Sequence, residues 1–394
     1  MKLSRVWAYI TVEICLATWL SHFELTALLL ERIDLISEGA GAQYYASIDT
    51  WNYDDSLGLN QSPKTSAFPK GKGWSAAMCT RTAVTLKPKD GGRQMSDVPA
   101  FPDFRPIELE DKELLSAYLE STQPQISEYT FTNLYVWRKS DRPLLSRHGD
   151  TLLVKVLKCP DEREVLLPPL GLREPLIELP EFIRELGKQE KIPPIYGISK
   201  DQAEALARIG FSVKLDRDNS DYVYLIEDLI KLPGTKFHSK RQSIRRCLSE
   251  RKCEYVPIDA DIVELCLQLQ EEWCNLANCR ESLGLREEDQ AIRETFLNYD
   301  KLNAFGAAVS VDGEIQAFTV GERLNKDTAV IHFEKANPKI RGLYQVINQW
   351  FCKNALADYR YVNREQDLGE PGIRRAKQSY HPHHMVEKYI AEQA

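Results

Sequence analysis

The stretch that most constrains this chain is residues 327–351, DTAVIHFEKANPKIRGLYQVINQWF. Residues 328–334 are apolar and β-branched, the composition of a buried strand. Residues 335–341 then gather Asn337, Pro338 and the cations Lys335, Lys339 and Arg341, and Gly342 closes them as a turn. From Leu343 the apolar positions Leu343, Val346, Ile347, Trp350 and Phe351 recur at helical intervals. Strand, basic glycine-closed loop and helix together offer free N–H groups and the positive end of a helix dipole to an anion. An ordinary β-to-α connection has the same pattern, so the surroundings must decide.

With 394 residues the chain has room for two domains. Its formal charge is −7, so no global field draws it to nucleic acid, and any anion binding must come from local patches. The nine cysteines contain no CxxC pair, and Cys266, Cys274 and Cys279 lack zinc spacing, so reduced thiols and a cytoplasmic location are expected. The apolar run at residues 6–20 is interrupted by Glu13 and followed by His22 and Glu24, which makes it a poor membrane span. Residues 39–97 are rich in Gly, Ser, Pro and Lys without a sustained period. Residues 1–94 therefore read as a disordered extension, with the functional protein beginning at or near Met95.

Order appears from Asp103. A helix is expected over residues 111–120, strands over 144–146, 151–157 and 164–168, a helix over 176–186, a strand over 194–198 and a helix over 201–209. Strands follow at 212–215 and 222–226. The second half loosely repeats this order. Helices are expected over 235–251 and 261–277, and a hairpin joins 304–311 to 314–323 across Asp312-Gly313. After the opening stretch come a strand at 359–363, a short helix at 372–380 and one last strand at 385–390. The pseudo-repeat divides the chain into domains at 103–220 and 221–394, with a ligand cleft expected between them.

Three groups of residues could carry chemistry. The helix TKFHSKRQSIRRCLSERK, residues 235–252, bears Lys236, Lys240, Arg241, Arg245, Arg246, Arg251 and Lys252 against the single acid Glu250. Lys240 and Arg241 flank its apolar stripe of Phe237, Ile244 and Leu248, where they either snorkel or hold phosphate in the cleft. In YVNREQDLGEPGIRRAKQSYHPHH, residues 361–384, Asn363, Glu365 and Asp367 alternate beyond a strand end, with Arg374 and Lys377 on the following helix. The acids suit an amine and the cations an anion. His381, His383 and His384 lack the partners of a metal site, and none is assigned.

The segments YVYLIEDLIKLPGTKFHSKRQSIRR, HFEKANPKIRGLYQVINQWF and YVNREQDLGEPGIRRAKQSYHP occur in the order found in the phosphatidylglycerol lysyltransferase C-terminal domain family, which the chain resembles over about residues 103–391. The resemblance implies an α/β (α+β) fold of tandem GNAT-like acyltransferase domains with mixed sheets, related to the Fem-type aminoacyltransferases. It also implies acyl transfer, with aminoacyl-tRNA or acyl-CoA as co-substrate and no tightly bound cofactor. tRNA is then a partner. The multi-helix membrane region of the lipid-modifying members is missing from this sequence, so contact with a membrane is expected to be peripheral at most. On this reading Lys236, Lys240, Arg241, Arg245, Arg341 and Gly342, with the Leu343 N–H, contact the donor. His332 and Glu334 share a strand face by the period-two rule and supply a base. Tyr380 protonates the leaving group, and Asn363, Glu365, Asp367, Arg374 and Lys377 bind substrate. The degenerate glycine loop favours aminoacyl-tRNA over acyl-CoA. A binding module without turnover is the remaining alternative.

Overall fold

A computed structural model describes residues 92–158, 163–172 and 175–393. The extension expected over residues 1–94 lies outside the described residues except at its end. There Arg93 already belongs to the folded body: its guanidinium pairs with Glu108 and Asp111, and its N–H donates to Glu110 O at 3.1 Å. The described body therefore includes Arg93, two residues before Met95.

The first half contains β1 (Arg105–Pro106), α1 (Lys112–Thr122), α2 (Phe131–Val136), β2 (Leu144–His148), β3 (Thr151–Lys158) and β4 (Arg163–Leu166). It continues with α3 (Pro175–Leu186), β5 (Ile195–Ile198), α4 (Lys200–Ala207) and β6 (Phe211–Leu215). The second half runs through β7 (Asp221–Leu225), α5 (Ile226–Lys231), α6 (His238–Glu250), β8 (Cys253–Pro257), α7 (Ala260–Ala277) and α8 (Leu283–Leu297). It ends with β9 (Phe305–Val311), β10 (Glu314–Arg323), β11 (Thr328–Ala336), α9 (Leu343–Asn354), β12 (Tyr361–Asn363), α10 (Pro371–Gln378), β13 (His384–Val386) and β14 (Tyr389–Gln393). The expected hairpin is present, with Asp312 and Gly313 both at positive φ, as a tight two-residue turn requires.

Two seven-stranded mixed sheets result. The first has the order β1-β2-β3-β4-β5-β14-β6 and the second β13-β7-β12-β11-β10-β9-β8. Each contains one parallel pair, β4 with β5 and β11 with β12. The expected single last strand is in fact two. Residues 384–386 pair with β7 in the second sheet, and residues 389–393 cross back to lie between β5 and β6 in the first.

Alternation along the strands assigns the layers. On β9, Ala307, Val309 and Val311 pack with α5, α6 and α9, whereas Ala308 packs on the opposite side. That opposite side joins Phe318, Val320 and Phe333 to α1, α2, α7 and α8 and to β2 and β3 of the first sheet. One apolar core thus spans both halves, while α3 and α4 cover the far face of the first sheet. The reduced-thiol expectation is corrected at one point: Cys274 and Cys279, at the end of α7, are joined by a disulfide.

A charged hub sits on this shared core. Asp221 is fully buried and accepts from Lys388 Nζ at 2.6 Å, Asn363 Nδ2 at 2.9 Å, Ser127 N at 2.9 Å and Ser127 Oγ at 3.0 Å. Lys388 also reaches Glu128 at 2.5 Å. Burial alone would push the Lys388 ammonium down, but Asp221 and Glu128 outweigh it and hold the pKa above its usual value. Lys388→Met leaves Asp221 as an unpaired buried charge. It should destabilise the protein by about 3–5 kcal/mol in denaturant unfolding, and adding Asp221→Leu should restore much of that loss. A single variant as stable as wild type would show that the pair contributes nothing.

Candidate functional site

The site is built where two parallel strands part. β11 and β12 stay in register only from Thr328↔Tyr361 to Val330↔Asn363. Beyond Asn363 the chain follows β7 instead: Arg364 N donates to Tyr222 O at 2.9 Å, and Tyr222 N donates to Glu365 O at 3.1 Å. β11 runs on to Ala336, so a wedge opens between it and residues 364–367. Side chains span this wedge in two places.

The first crossing depends on a β-bulge. Val320 pairs with Phe333 and Gly321 with Ile331, leaving His332 as an extra residue on β11. Gly321 admits the backbone there, since a Cβ would meet Val330 O at 2.3 Å. The extra residue breaks the period of two, so His332 and Glu334 do not share a face as expected. His332 turns toward the first half, its Nε2 2.9 Å from Glu322 and its Nδ1 2.9 Å from Glu365, whose carboxylate is also 3.4 Å from Asn133 Nδ2 on α2. Burial alone would keep this ring neutral, but the hydrogen bonds to Glu322 and Glu365 raise its pKa to about 9. His332 is therefore an imidazolium at neutral pH. Glu322 in turn lines a cavity of about 280 Å³ between α1 and the end of β10.

The second crossing lies on the other face. Glu334 accepts from Arg364 at 2.9 Å and from Asn348 on α9 at 3.1 Å. The Arg364 guanidinium is 5.1 Å from the Tyr380 ring centroid and 5.7 Å from that of Tyr224. Burial alone would lower Arg364, and the Glu334 carboxylate more than offsets it. Lys240 lies over the Tyr380 ring at 4.1 Å, with its Nζ 2.6 Å from Ser379 Oγ. Lys377 donates to Arg364 O, and burial pushes its pKa down to about 8 against the pull of Glu365. Burial, and then Arg364, likewise lowers Lys240, while burial raises the Tyr380 phenol and keeps it protonated. The first turn of α6 and the end of α10 thus meet, joining the basic helix to the third group of sequence candidates.

The family model for the C-terminal part of phosphatidylglycerol lysyltransferase matches residues 119–392. The chain belongs to this lysyltransferase C-terminal family. A conserved protein of unknown function from Bacteroides thetaiotaomicron VPI-5482 is 33% identical, with 73% of this chain and 98% of that one covered at a TM-score of 0.67. The C-terminal domain of a putative lysylphosphatidylglycerol synthetase from Agrobacterium fabrum (16% identity, 73% and 93% covered, TM-score 0.52) shares the fold. So does L-PGS from Bacillus licheniformis (16%, 72% and 92%, 0.51). No curated protein matches the chain. Among the described residues, no helix is long and apolar enough to cross a membrane, and no group of three or more His, Cys, Asp or Glu is placed to hold a metal ion.

Within this family frame several candidate roles change. Neither His332 nor Glu334 is a free base, because each is committed to an ion pair. Arg241 does not face a ligand: it donates to Leu232 O and to Gly234 O (2.7 Å) and so closes the end of α5. Gly342, at φ +92°, is taken up by helix packing, since a Cβ there would meet Ser243 O of α6 at 2.4 Å; the Leu343 N–H donates to Ile340 O. Asp367 is buried, and Arg374 first, then the Tyr222 hydroxyl and the Gly369 N–H, hold its carboxyl well below the usual range. Arg374 is shared between Asp367 and Asp218, and Asn363 belongs to the Asp221 hub. These residues are engaged with one another within the loop and the hub. Lys236 is exposed and 3.6 Å from Asp228, while Arg245 and Arg341 are exposed and make no ion pair with the described residues. Sequence reasoning missed Arg364, Glu322 and Lys388. Arg364 alone left a signal, as the cation between two acceptors in Asn363-Arg364-Glu365.

A raised histidine pKa is also a statement about stability. The unfolded value is about 6.5, so the stabilisation is complete below that pH and is lost as pH climbs through about 9. Wild type should lose on the order of 3 kcal/mol more than His332→Gln between pH 6.5 and 9.5. Equal losses in urea unfolding at the two pH values would disprove the imidazolium.

Proposed function

We propose that this member of an acyltransferase family moves an aminoacyl group from aminoacyl-tRNA to an amine or hydroxyl nucleophile, with the tRNA end resting where α6 meets α10. The observation that carries the reading is the convergence of Lys240 and Arg364 on the Tyr380 ring, with the Lys377 ammonium on the Arg364 carbonyl behind them, in a protein of net charge −7. Lys236 before α6, Arg245 on α6, Arg341 before α9 and Arg375 on α10 are exposed cations that suit a phosphate backbone. The wedge that would receive the thiol arm of an acyl-CoA is spanned by Glu334–Arg364 and His332–Glu365, and Gly342 is packed against Ser243. Both features support a donor that approaches the cationic surface from outside.

In the proposed reaction the nucleophile attacks the ester carbonyl, and the Lys240 ammonium offsets the charge that develops on its oxygen. Lys377, near 8, is neutral often enough at pH 7 to take the nucleophile's proton. Tyr380, which burial keeps protonated, supplies one to the departing ribose oxygen. The lysyl and phosphatidylglycerol specificity named for the family is one version of this chemistry, and the acceptor's identity stays open here. A tRNA donor implies a cytoplasmic setting, where Cys274–Cys279 would be exposed to reduction.

Incubation with a radiolabelled aminoacyl-tRNA pool should show protein-dependent loss of label from the tRNA. Affinity should fall steeply with salt, and Lys240→Ala should reduce the log–log salt slope by about 1. Tyr380→Phe should lower kcat by about 10²-fold or more with binding unchanged. Flat salt dependence together with stable label would rule out the donor.

A further inference from the structure

We propose that the Cys274–Cys279 bridge is a redox-controlled clamp. Closed, it holds the ends of α7 and α8 over the Lys335 side chain; opened by a thiol reductant, it uncovers that lysine. The clamp goes beyond the acyl-transfer reading and does not rest on it.

Two cysteines five positions apart point away from each other along a continuing helix. Asn278 brings them together. It ends α7 in the left-handed conformation, at φ +53°, and the chain folds back so that the two Cα atoms lie 5.0 Å apart. Little else ties this turn down. Residues 280–284 are exposed, and so is the Leu276 side chain before them. The Glu281 and Ser282 N–H groups donate to Asn278 O and Cys279 O, carbonyls of the same turn. Deeper in, Gln270 of α7 donates to Asp289 of α8 at 3.1 Å.

The two helices joined in this way both reach Lys335. Trp273, the residue before Cys274, places its ring 3.8 Å from Lys335 Nζ and donates its Nε1–H to the Tyr344 hydroxyl at 3.1 Å. Glu288 of α8 accepts from the same ammonium at 2.8 Å. Lys335 is left 6% exposed. One cover therefore comes from each helix, and the disulfide is the covalent link between them. Without it the ends of α7 and α8 can part locally while their buried faces stay on the core.

Access singles out this pair. Cys274 is half-buried, so a small thiol reaches its sulfur. Burial pushes the thiols of Cys247, Cys266 and Cys352 up to about 12 and raises that of Cys253 as well, which makes them poor nucleophiles. A dithiol reductant attacks Cys274 Sγ, the S–S bond breaks, and Cys279 leaves as a thiolate that takes up a proton. The reductant's second thiol then displaces Cys274, which is protonated in turn, and the reductant ends as an internal disulfide. Two electrons and two protons have passed to the protein.

The test is amine labelling of the full chain with an N-hydroxysuccinimide acetate, read by peptide mass spectrometry, with and without dithiothreitol. Exposed Lys353 serves as the internal reference. Dithiothreitol should raise labelling of Lys335 relative to Lys353 by about tenfold or more. Reoxidation with glutathione disulfide should restore the slow rate. Cys274→Ser should label at the fast rate whether or not dithiothreitol is present. An unchanged ratio after thiol counting has shown the bridge open overturns the clamp. So does a rise at all lysines together that reoxidation fails to reverse, since that is general unfolding. No aminoacyl-tRNA enters these measurements, so this proposal and the donor reading fail separately.

Discussion

The Asp221–Lys388 ion pair is the interaction on which the arrangement of the two halves depends. Asp221 opens the second sheet, Lys388 stands directly before the strand that returns to the first, and Ser127 and Glu128 belong to the segment leading into α2. Three sequence-distant segments therefore meet at one buried charge. An isolated carboxylate at zero exposure would be prohibitively costly, so the Asp221 site forms only when all three are in place. The crossing of β14 adds backbone pairing on both of its sides, with β5 and β6. Sheet completion and charge compensation are thus achieved by the same stretch of chain.

Much of the second sheet was legible because its determinants are local. The β11–turn–α9 stretch and the Asp312-Gly313 hairpin follow from strand composition, turn chemistry and helical spacing within a few residues of each other. Helix α8 was missed for a physical reason: its buried face includes Glu294 and Thr295, and Glu294 is tolerated there because Arg138 and Lys139 reach it at 2.7 and 2.5 Å. A polar residue on the core side hides the apolar period. The destination of residues 389–393 was not legible, since nothing in a five-residue strand names its partners 170 to 200 positions away.

The candidate site shows the same division. Lys240, Lys377 and Tyr380 were found because cations beside an apolar stripe and an aromatic after a short helix are visible in one dimension. Arg241 and Gly342 carried the same signals, but their partners are Leu232 O and Ser243 O, which only the packing of α5, α6 and α9 brings near. The bulge at His332 defeats a period argument outright. One added residue sends His332 and Glu334 to opposite faces, so a single strand contributes a charged side chain to each side of the sheet.

That division also explains how the wedge keeps its register after the backbone hydrogen bonds of β11 and β12 have ended. His332 meets Glu365 and Glu334 meets Arg364. Exchanging partners would set the His332 imidazolium against Arg364 and Glu334 against Glu365, two like-charged contacts in a buried setting. The penalty for that exchange far exceeds the net worth of either correct pair, so the charges act by excluding the wrong alignment more than by stabilising the right one. The order of two cations and two anions along the parting strands therefore does the aligning that a continued ladder would otherwise have done.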